Sequence, residues 1–292
     1  MKVMVSICIP TYNGEQFIKE TLNSIKSQSY TNFEVVVSDD NSTDNTLEVV
    51  RKFAEEVDFP IYIFHHRPKG IGANWNNSIR RANGKYIKFL FQDDLLEPNC
   101  LNEMVSIFGF NNEIGLVVSK RKFLVEKSMK TERTNKWIER HADLQAHLHL
   151  PSRRINILNR NFFSSPQFYT SPFNKIGEPS VVMFPKSVFE EVGEFDERLE
   201  QILDYEYWYR ILKKHEIAII DESLVKFRIH DQQATNVNRN RQILDYLLYP
   251  KILYQNYFWL LHPKVQKQLW LTFHPVPRVI RKLKQIFNRY PL

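Results

Sequence analysis

Cysteine is nearly absent: 292 residues hold two, Cys8 and Cys100. They stand too far apart for a zinc-ligand spacing and are too few for a disulfide framework, so a reducing compartment is expected. No window approaches the roughly 18 consecutive apolar residues that a spanning helix requires. The opening MKVMVSICIPTYNG is split by Ser6 and closed by Pro10, too short an apolar core for a secretory leader, and none is expected. The first strand-like run is followed by neither GxGxxG nor GxxxxGK[ST], which excludes the two common glycine-rich phosphate loops. Gly70 and Gly72 come only after the third such run. There is no internal repeat and no low-complexity tract.

What is present is ordinary for a globular chain: 43% apolar and 25% charged residues, with length for one large α/β domain or two small ones. Charge is unevenly spread. The net charge is +7, yet residues 236–292 carry ten basic side chains against the single acid Asp245, so that segment is +9 and the remainder −2. A cationic appendage suits a polyanionic surface, phospholipid or nucleic acid. Because the body is net negative, no nucleic-acid partner is expected.

Residues 3–9 (VMVSICI), 33–38 (FEVVVS), 61–65 and 86–91 (YIKFLF) read as strands, the first buried on both faces and the last also buried. Helices follow over 15–28, then from Thr43 or Asp44 as N-cap through Val57, over 74–82, and after Pro98. This alternation predicts βαβ units and a parallel sheet, with ligands bound outside the carboxyl ends of the strands. Residues 115–119 and 180–184 predict further strands, 186–192 a helix stopped by Gly193, 204–214 a helix, and 217–220 and 224–229 two short strands at a mixed or antiparallel edge. Residues 127–175 have too few periodic runs to assign. From about residue 238 the pattern is helical, interrupted by Pro250, Pro263, Pro275 and Pro277.

Polar clusters sit where the strands end: Pro10-Thr11-Tyr12-Asn13, then Asp39-Asp40, then Asp93-Asp94. Adjacent carboxylates repel, and a divalent cation relieves them, although a helix cap beside a solvated neighbour is the plainer reading of a lone pair. Asp39-Asp40 suits a ribose or base contact, or simply a helix entrance. Asp204 opens a helix of inward aromatics, either as its N-cap or as a general base with a pKa raised by desolvation. Of nine histidines only His230, closing Arg228-Ile229-His230, is singled out; His65, His66 and the others read as surface or core residues.

The stretches VSICIPTYNGEQFIKETLNSIKSQSYTNFEVVVSDDNSTDNT, GIGANWNNSIRRANGKYIKFLFQDD, PSVVMFPKSVFEEVGEFDE, LDYEYWYRILKK and FRIHD run in one order over about residues 3–232. In them the chain resembles the family 2 glycosyltransferases. The resemblance implies a GT-A fold: α/β, a Rossmann-like, mostly parallel sheet flanked by helices, with a C-terminal helical extension. It implies a catalytic domain over 1–235, divided into a nucleotide-binding half (1–119) and an acceptor-binding half (120–235), and the extension over 236–292. The implied activity is metal-dependent, inverting transfer of a sugar from a nucleotide diphosphate donor, UDP foremost, to a hydroxyl of a saccharide or lipid-linked acceptor in surface polysaccharide synthesis.

Residue by residue, the resemblance implies that Pro10, Thr11, Tyr12 and Asn13 line the nucleoside pocket, with Asp39, Asp40 and Asn74 beside it. Asp93 would lie near the ribose. Asp94 would hold Mn²⁺ or Mg²⁺ with His230 closing over the diphosphate, and Asp204 would be the base. There are departures. Gln92 stands where the family often has an acid, Leu203 rather than Glu precedes Asp204, and Asn74-Trp75-Asn76 replaces an Arg-Asn pair. They leave open an inactive nucleotide-sugar-binding relative. Residues 277–289 read as a basic amphipathic helix, suited to the inner face of the cell membrane for a cytoplasmic protein, or to packing on the body or a second subunit.

Overall fold

Nine strands form one sheet in the order β3-β2-β1-β4-β8-β6-β9-β5, with β7 also paired to β9, in a computed structural model that describes residues 4–233, 243–277 and 279. Its centre is β1 (Val5–Thr11), parallel to β2 (Phe33–Asp39) on one side and β4 (Tyr86–Phe89) on the other, with β3 (Ile61–His65) beyond β2. The crossovers are α1 (Glu15–Lys26), α2 (Thr46–Ala54) and α3 (Ile71–Arg81). Both β1 and β2 are buried along their whole length, which is why their sequences lack the alternation of a half-exposed strand.

The second half adds β5 (Leu95–Leu96), α4 (Cys100–Ile107), β6 (Ile114–Val125), α5 (Glu132–His141), β7 (Ile155–Leu158), β8 (Val182–Pro185), α6 (Lys186–Val192), α7 (Leu203–Leu212) and β9 (Glu216–Ile229). Strands β1, β2, β3, β4, β6 and β9 run one way, and β5, β7 and β8 the other. The sheet is therefore mostly parallel and flanked by helices, as the resemblance implied.

Several boundaries differ from expectation. Strand β1 continues through Pro10 to Thr11. The Cys8 carbonyl accepts from Leu90 N–H toward β4, so Pro10, two residues on, turns its donorless nitrogen to the same side, past the last paired residue Phe89. The N-cap of α2 is Asn45 rather than Thr43 or Asp44, although the Asp44 carboxylate accepts from Thr46 N–H at 3.0 Å. Helix α3 starts at Ile71, earlier than residue 74, and Pro98 precedes the α4 cap Asn99. The two strands expected over 217–229 are one, β9, whose pairing with β6 shifts register around Ser119–Arg121. Its polar middle, Asp221-Glu222-Ser223, hid that continuity.

The extension begins as α8 (Asp245–Asn256) and α9 (Pro263–Phe273). Pro250 lies inside α8 instead of ending it, and removes the N–H that would meet the Tyr246 carbonyl. Packing offsets that loss: the Tyr249 ring is 5.3 Å from Tyr205, and Tyr257 is 5.2 Å from Phe163. Apart from Pro277 and Val279, the predicted basic helix over 277–289 lies outside the described residues. Among those described, no helix is long and apolar enough to cross a membrane.

Candidate active site

The ends of β1 and β2 are tied together by side chains. Thr11 Oγ1 donates to Asp39 Oδ1 at 3.0 Å, and Ser42 donates to Asp39 through both N–H (2.9 Å) and hydroxyl (2.5 Å). Fully buried Asp39 is thus engaged in bracing the loop, while Asp40 keeps some surface and bonds His66 Nδ1 at 2.8 Å. His66, set aside in the sequence, belongs to this rim because β3 delivers it opposite β2. Asn13, in the left-handed region at φ 48°, accepts from Thr43 N–H at 2.8 Å. Tyr12 is exposed and Pro10 buried beneath it. Asn74 Nδ2 reaches the Thr11 carbonyl at 3.4 Å, and its Oδ1 is buried without a hydrogen-bond partner among the described residues.

Gln92 has a definite task. Its Nε2 donates to the Tyr12 carbonyl and its Oε1 accepts from Tyr12 N–H, both at 2.9 Å, so it clamps the β1 loop to the end of β4. Gly14 is what lets it in: a Cβ there would overlap Gln92 Oε1.

The next two residues diverge. Asp93 bonds His230 Nε2 at 2.8 Å, with 17% and 8% of the two side chains exposed. Asp94 is turned under the surface, where Oδ1 accepts from Arg228 N–H at 2.9 Å and Oδ2 lacks a well-formed bond among the described residues. Burial, then the Asp93 carboxylate, push Asp94 well above the usual carboxylate range, opposed by the Ser180 hydroxyl and the Arg228 N–H. Beneath it, buried Lys88 gives its ammonium to the Phe89 and Ser180 carbonyls, and desolvation lowers it to about 8. The end of β9 braces the turn a third time, through Arg228 Nε to the Asp93 carbonyl at 2.9 Å.

Asp204 is the second residue of α7, not its cap, which is Ile202. Oδ2 accepts from Asn174 Nδ2 at 2.9 Å, and Oδ1 is shut from solvent and lacks a well-formed bond among the described residues. Desolvation raises its pKa from 3.8 to about 7, opposed by the Tyr205 backbone N–H, while the Glu178 charge adds to the rise. Glu178 likewise raises Asp94, so both carboxylates face one anion, itself paired with Arg121 at 2.8 Å. The start of α3 closes the ring: a Cβ on Gly72 would touch Leu203 at 3.3 Å, and Asn74 two residues on reaches Thr11. The Glu178 charge and the start of α3 thus link the ends of β1 and β4 to the first turn of α7.

Asn174 and Glu178 were missed in the sequence. Asn174 lies in the segment without periodicity, although Asn-Lys-Ile-Gly is an Asx-turn pattern and Oδ1 does accept from Ile176 and Gly177 N–H. Among the described residues no three His, Cys, Asp or Glu side chains converge as a self-sufficient metal cage. A separate hollow of about 620 Å³, lined by Lys213, Tyr254, Trp259 and Trp270, holds none of these carboxylates.

The profile of a family described as Glycosyl transferase family 2 matches residues 6–193. An uncharacterized glycosyltransferase of Rickettsia typhi is 26% identical over 239 residues, 82% of this chain and 68% of that protein. One of Methanocaldococcus jannaschii is 26% identical over 254 residues, 85% and 79% of the two chains. Among solved structures, Staphylococcus aureus TarS 1-349 in complex with UDP superposes with a TM-score of 0.60 at 17% identity, over 94% of this chain and 73% of TarS 1-349. A Pyrobaculum calidifontis mannosyltransferase in complex with GDP-Man and Mn²⁺ gives 0.58 at 17% identity, over 100% and 82%. At such identity these two likenesses speak for the fold.

Proposed function

We propose, from the premise that the chain belongs to glycosyl transferase family 2, that it moves a sugar from a nucleotide diphosphate donor to a hydroxyl of a saccharide or lipid-linked acceptor with inversion at the anomeric carbon. UDP is the first donor nucleotide to test, and surface polysaccharide synthesis at the cytoplasmic side of the membrane is the setting the reading implies. The observation that carries it is Asp204: its Oδ2 is held by Asn174, its Oδ1 lacks a well-formed bond among the described residues, and burial raises its carboxyl pKa to about 7.

The roles follow from position. Tyr12, Asn13 and Asp40 with His66 offer polar contacts for a nucleoside, while Thr11 and Asp39 hold the loop that carries them. Asp204 accepts the proton of the acceptor hydroxyl as that oxygen attacks, help usually worth about 10²–10⁴ in rate. A single displacement from the far face inverts the centre and needs no covalent sugar–enzyme bond.

The turn after β4 offers a hard divalent cation, Mn²⁺ or Mg²⁺, the Asp93 carboxylate, which keeps some surface, and the buried Asp94 oxygen that lacks a well-formed bond. Asp93 and Asp94 are neighbouring oxygen donors whose repulsion such an ion would relieve, with donor phosphates and water completing the shell, as is usual for Mg²⁺. Bound there with His230 at its edge, the ion would neutralise charge on the departing diphosphate. Gln92, serving as a backbone clamp, need not signal lost activity.

A screen of UDP-, GDP- and TDP-sugars for Mn²⁺-dependent protection against unfolding, followed by transfer or hydrolysis with the best donor, tests the reading. A donor at a hundred times its Kd adds about 2.7 kcal/mol. No protection by any donor overturns the reading, and protection without turnover favours the inactive relative.

A further inference from the structure

The cationic tail contains one acid, and that acid points into the catalytic body. Asp245, at the start of α8, is almost fully buried, and its carboxylate accepts the backbone N–H groups of Glu200 (3.0 Å), Gln201 (2.7 Å) and Ile202 (3.0 Å). Ile202 caps α7, and Asp204 lies two residues further on. One turn along α8, the Tyr249 ring meets Tyr205 edge-on at 5.3 Å. Tyr246, three residues before Tyr249, therefore stands over the first turn of α7. It is 54% exposed, and its phenol is pushed up by partial burial, then by the Asp245 and Asp204 charges.

Two polar atoms beneath it are unsatisfied. The Tyr205 hydroxyl, in a residue 6% exposed, is buried without a hydrogen-bond partner among the described residues, and buried Asp204 Oδ1 beside it in the chain lacks a well-formed one. Unpaired buried polar groups cost about 1–3 kcal/mol each, so two at one place mark a position built for a ligand that brings hydroxyls. An exposed aromatic face beside them is what the apolar face of a sugar ring seeks, and the neighbouring Leu244 and Leu247 are exposed as well.

We infer that the first turn of α8 is the wall of the acceptor subsite: the acceptor is a saccharide whose reactive hydroxyl sits between Asp204 Oδ1 and the Tyr205 hydroxyl, with its ring stacked on Tyr246. Asp245 is the positioning residue that holds this wall against the base helix. The inference rests on the transferase reading and names its acceptor side.

The test uses the full chain with Mn²⁺, UDP, and a panel of p-nitrophenyl and octyl hexosides as probes, read by saturation-transfer NMR and by UDP titration. Wild type is expected to bind at least one probe, Tyr246→Ala to weaken that binding at least tenfold, and Tyr246→Phe to retain it. Tyr205→Phe is expected to weaken it several-fold, with UDP affinity unchanged in all three. Equal probe affinity in Tyr246→Ala, a parallel fall in UDP affinity, or no probe bound by a wild type that does bind UDP overturns the inference alone. Failure to bind UDP, GDP or TDP at all would instead remove the transferase reading beneath it.

Discussion

Replacing Asp204 by Asn keeps the side chain's shape and removes its titratable charge, and the Asn carbonyl can take the Asn174 Nδ2–H bond now made to Oδ2 at 2.9 Å. Loss of a positioned base predicts a fall in turnover of about 10²–10⁴, with donor affinity kept. In the wild type, turnover should rise with pH through about 7, where Asp204 ionises, and level off above it. The groups facing Asp204 are Glu178, held by Arg121, and the phenols of Tyr205, Tyr209 and Tyr246. Burial pushes all three phenols upward, away from that window.

The same substitution has a stability signature of defined sign. The folded chain holds the Asp204 proton more tightly than the unfolded chain, so between the ordinary 3.8 and about 7 unfolding releases a proton and stability falls as pH rises. At 1.36 kcal/mol per pH unit the loss approaches about 4 kcal/mol, complete above pH 7 and absent below 4. The asparagine variant carries no such proton. Urea unfolding of both proteins from pH 3.5 to 8.5 should therefore show the D204N chain gaining on wild type through the window and overtaking it at the alkaline end. Parallel curves, or turnover within a few-fold of wild type, would refute both the burial argument and the base.

Three further outcomes follow from the geometry. Asp94→Asn keeps an acceptor for the Arg228 N–H at 2.9 Å, so the fold should survive, while donor affinity in Mn²⁺ drops at least tenfold and UDP affinity in EDTA does not, by calorimetry. Gly14→Ala forces Gln92 off the Tyr12 backbone and should cost about 1–3 kcal/mol in chemical unfolding; combining it with Gln92→Ala should recover part of that loss, and strict additivity would break the clamp argument. A chain ending at Pro277 keeps α8 and α9 but loses five basic residues (Arg278, Arg281, Lys282, Lys284 and Arg289), and should no longer co-sediment with phosphatidylglycerol vesicles that retain the full chain. Equal partitioning would remove the membrane role.

The N-terminal half was legible because β1, β2 and β4 are buried on both faces and its helices carry one apolar stripe; β3 at the edge, though partly exposed, matches Ile61–His65 to the residue. The pairs Asp39-Asp40 and Asp93-Asp94 were legible as residues of the sheet's rim, since each stands where a parallel strand ends. Their division of labour was not. Whether Asp39 or Asp40 keeps a free face depends on Ser42 and Thr11 closing around the first, and whether Asp93 or Asp94 turns under depends on Arg228, more than a hundred residues away. Asn174 and Glu178 act on Asp204 from a stretch of short turns and edge elements whose pattern is set by what they touch, not by a period.

The cationic tail shows the same limit from the other side. Summed charge makes residues 236–292 one appendage of +9. Contacts divide it: Asp245, Tyr249, Leu253 and Tyr257 are buried against α7 and its neighbours, so α8 is as much part of the body as β9. Five of the ten basic residues lie beyond α9, and only there does the electrostatic argument for an anionic surface still hold. A cut after residue 235 would therefore uncover the aromatic flank of α7 along with the charge, confounding folding with attachment. A cut after Pro277 removes five of the ten basic residues and leaves α7 pinned by Asp245.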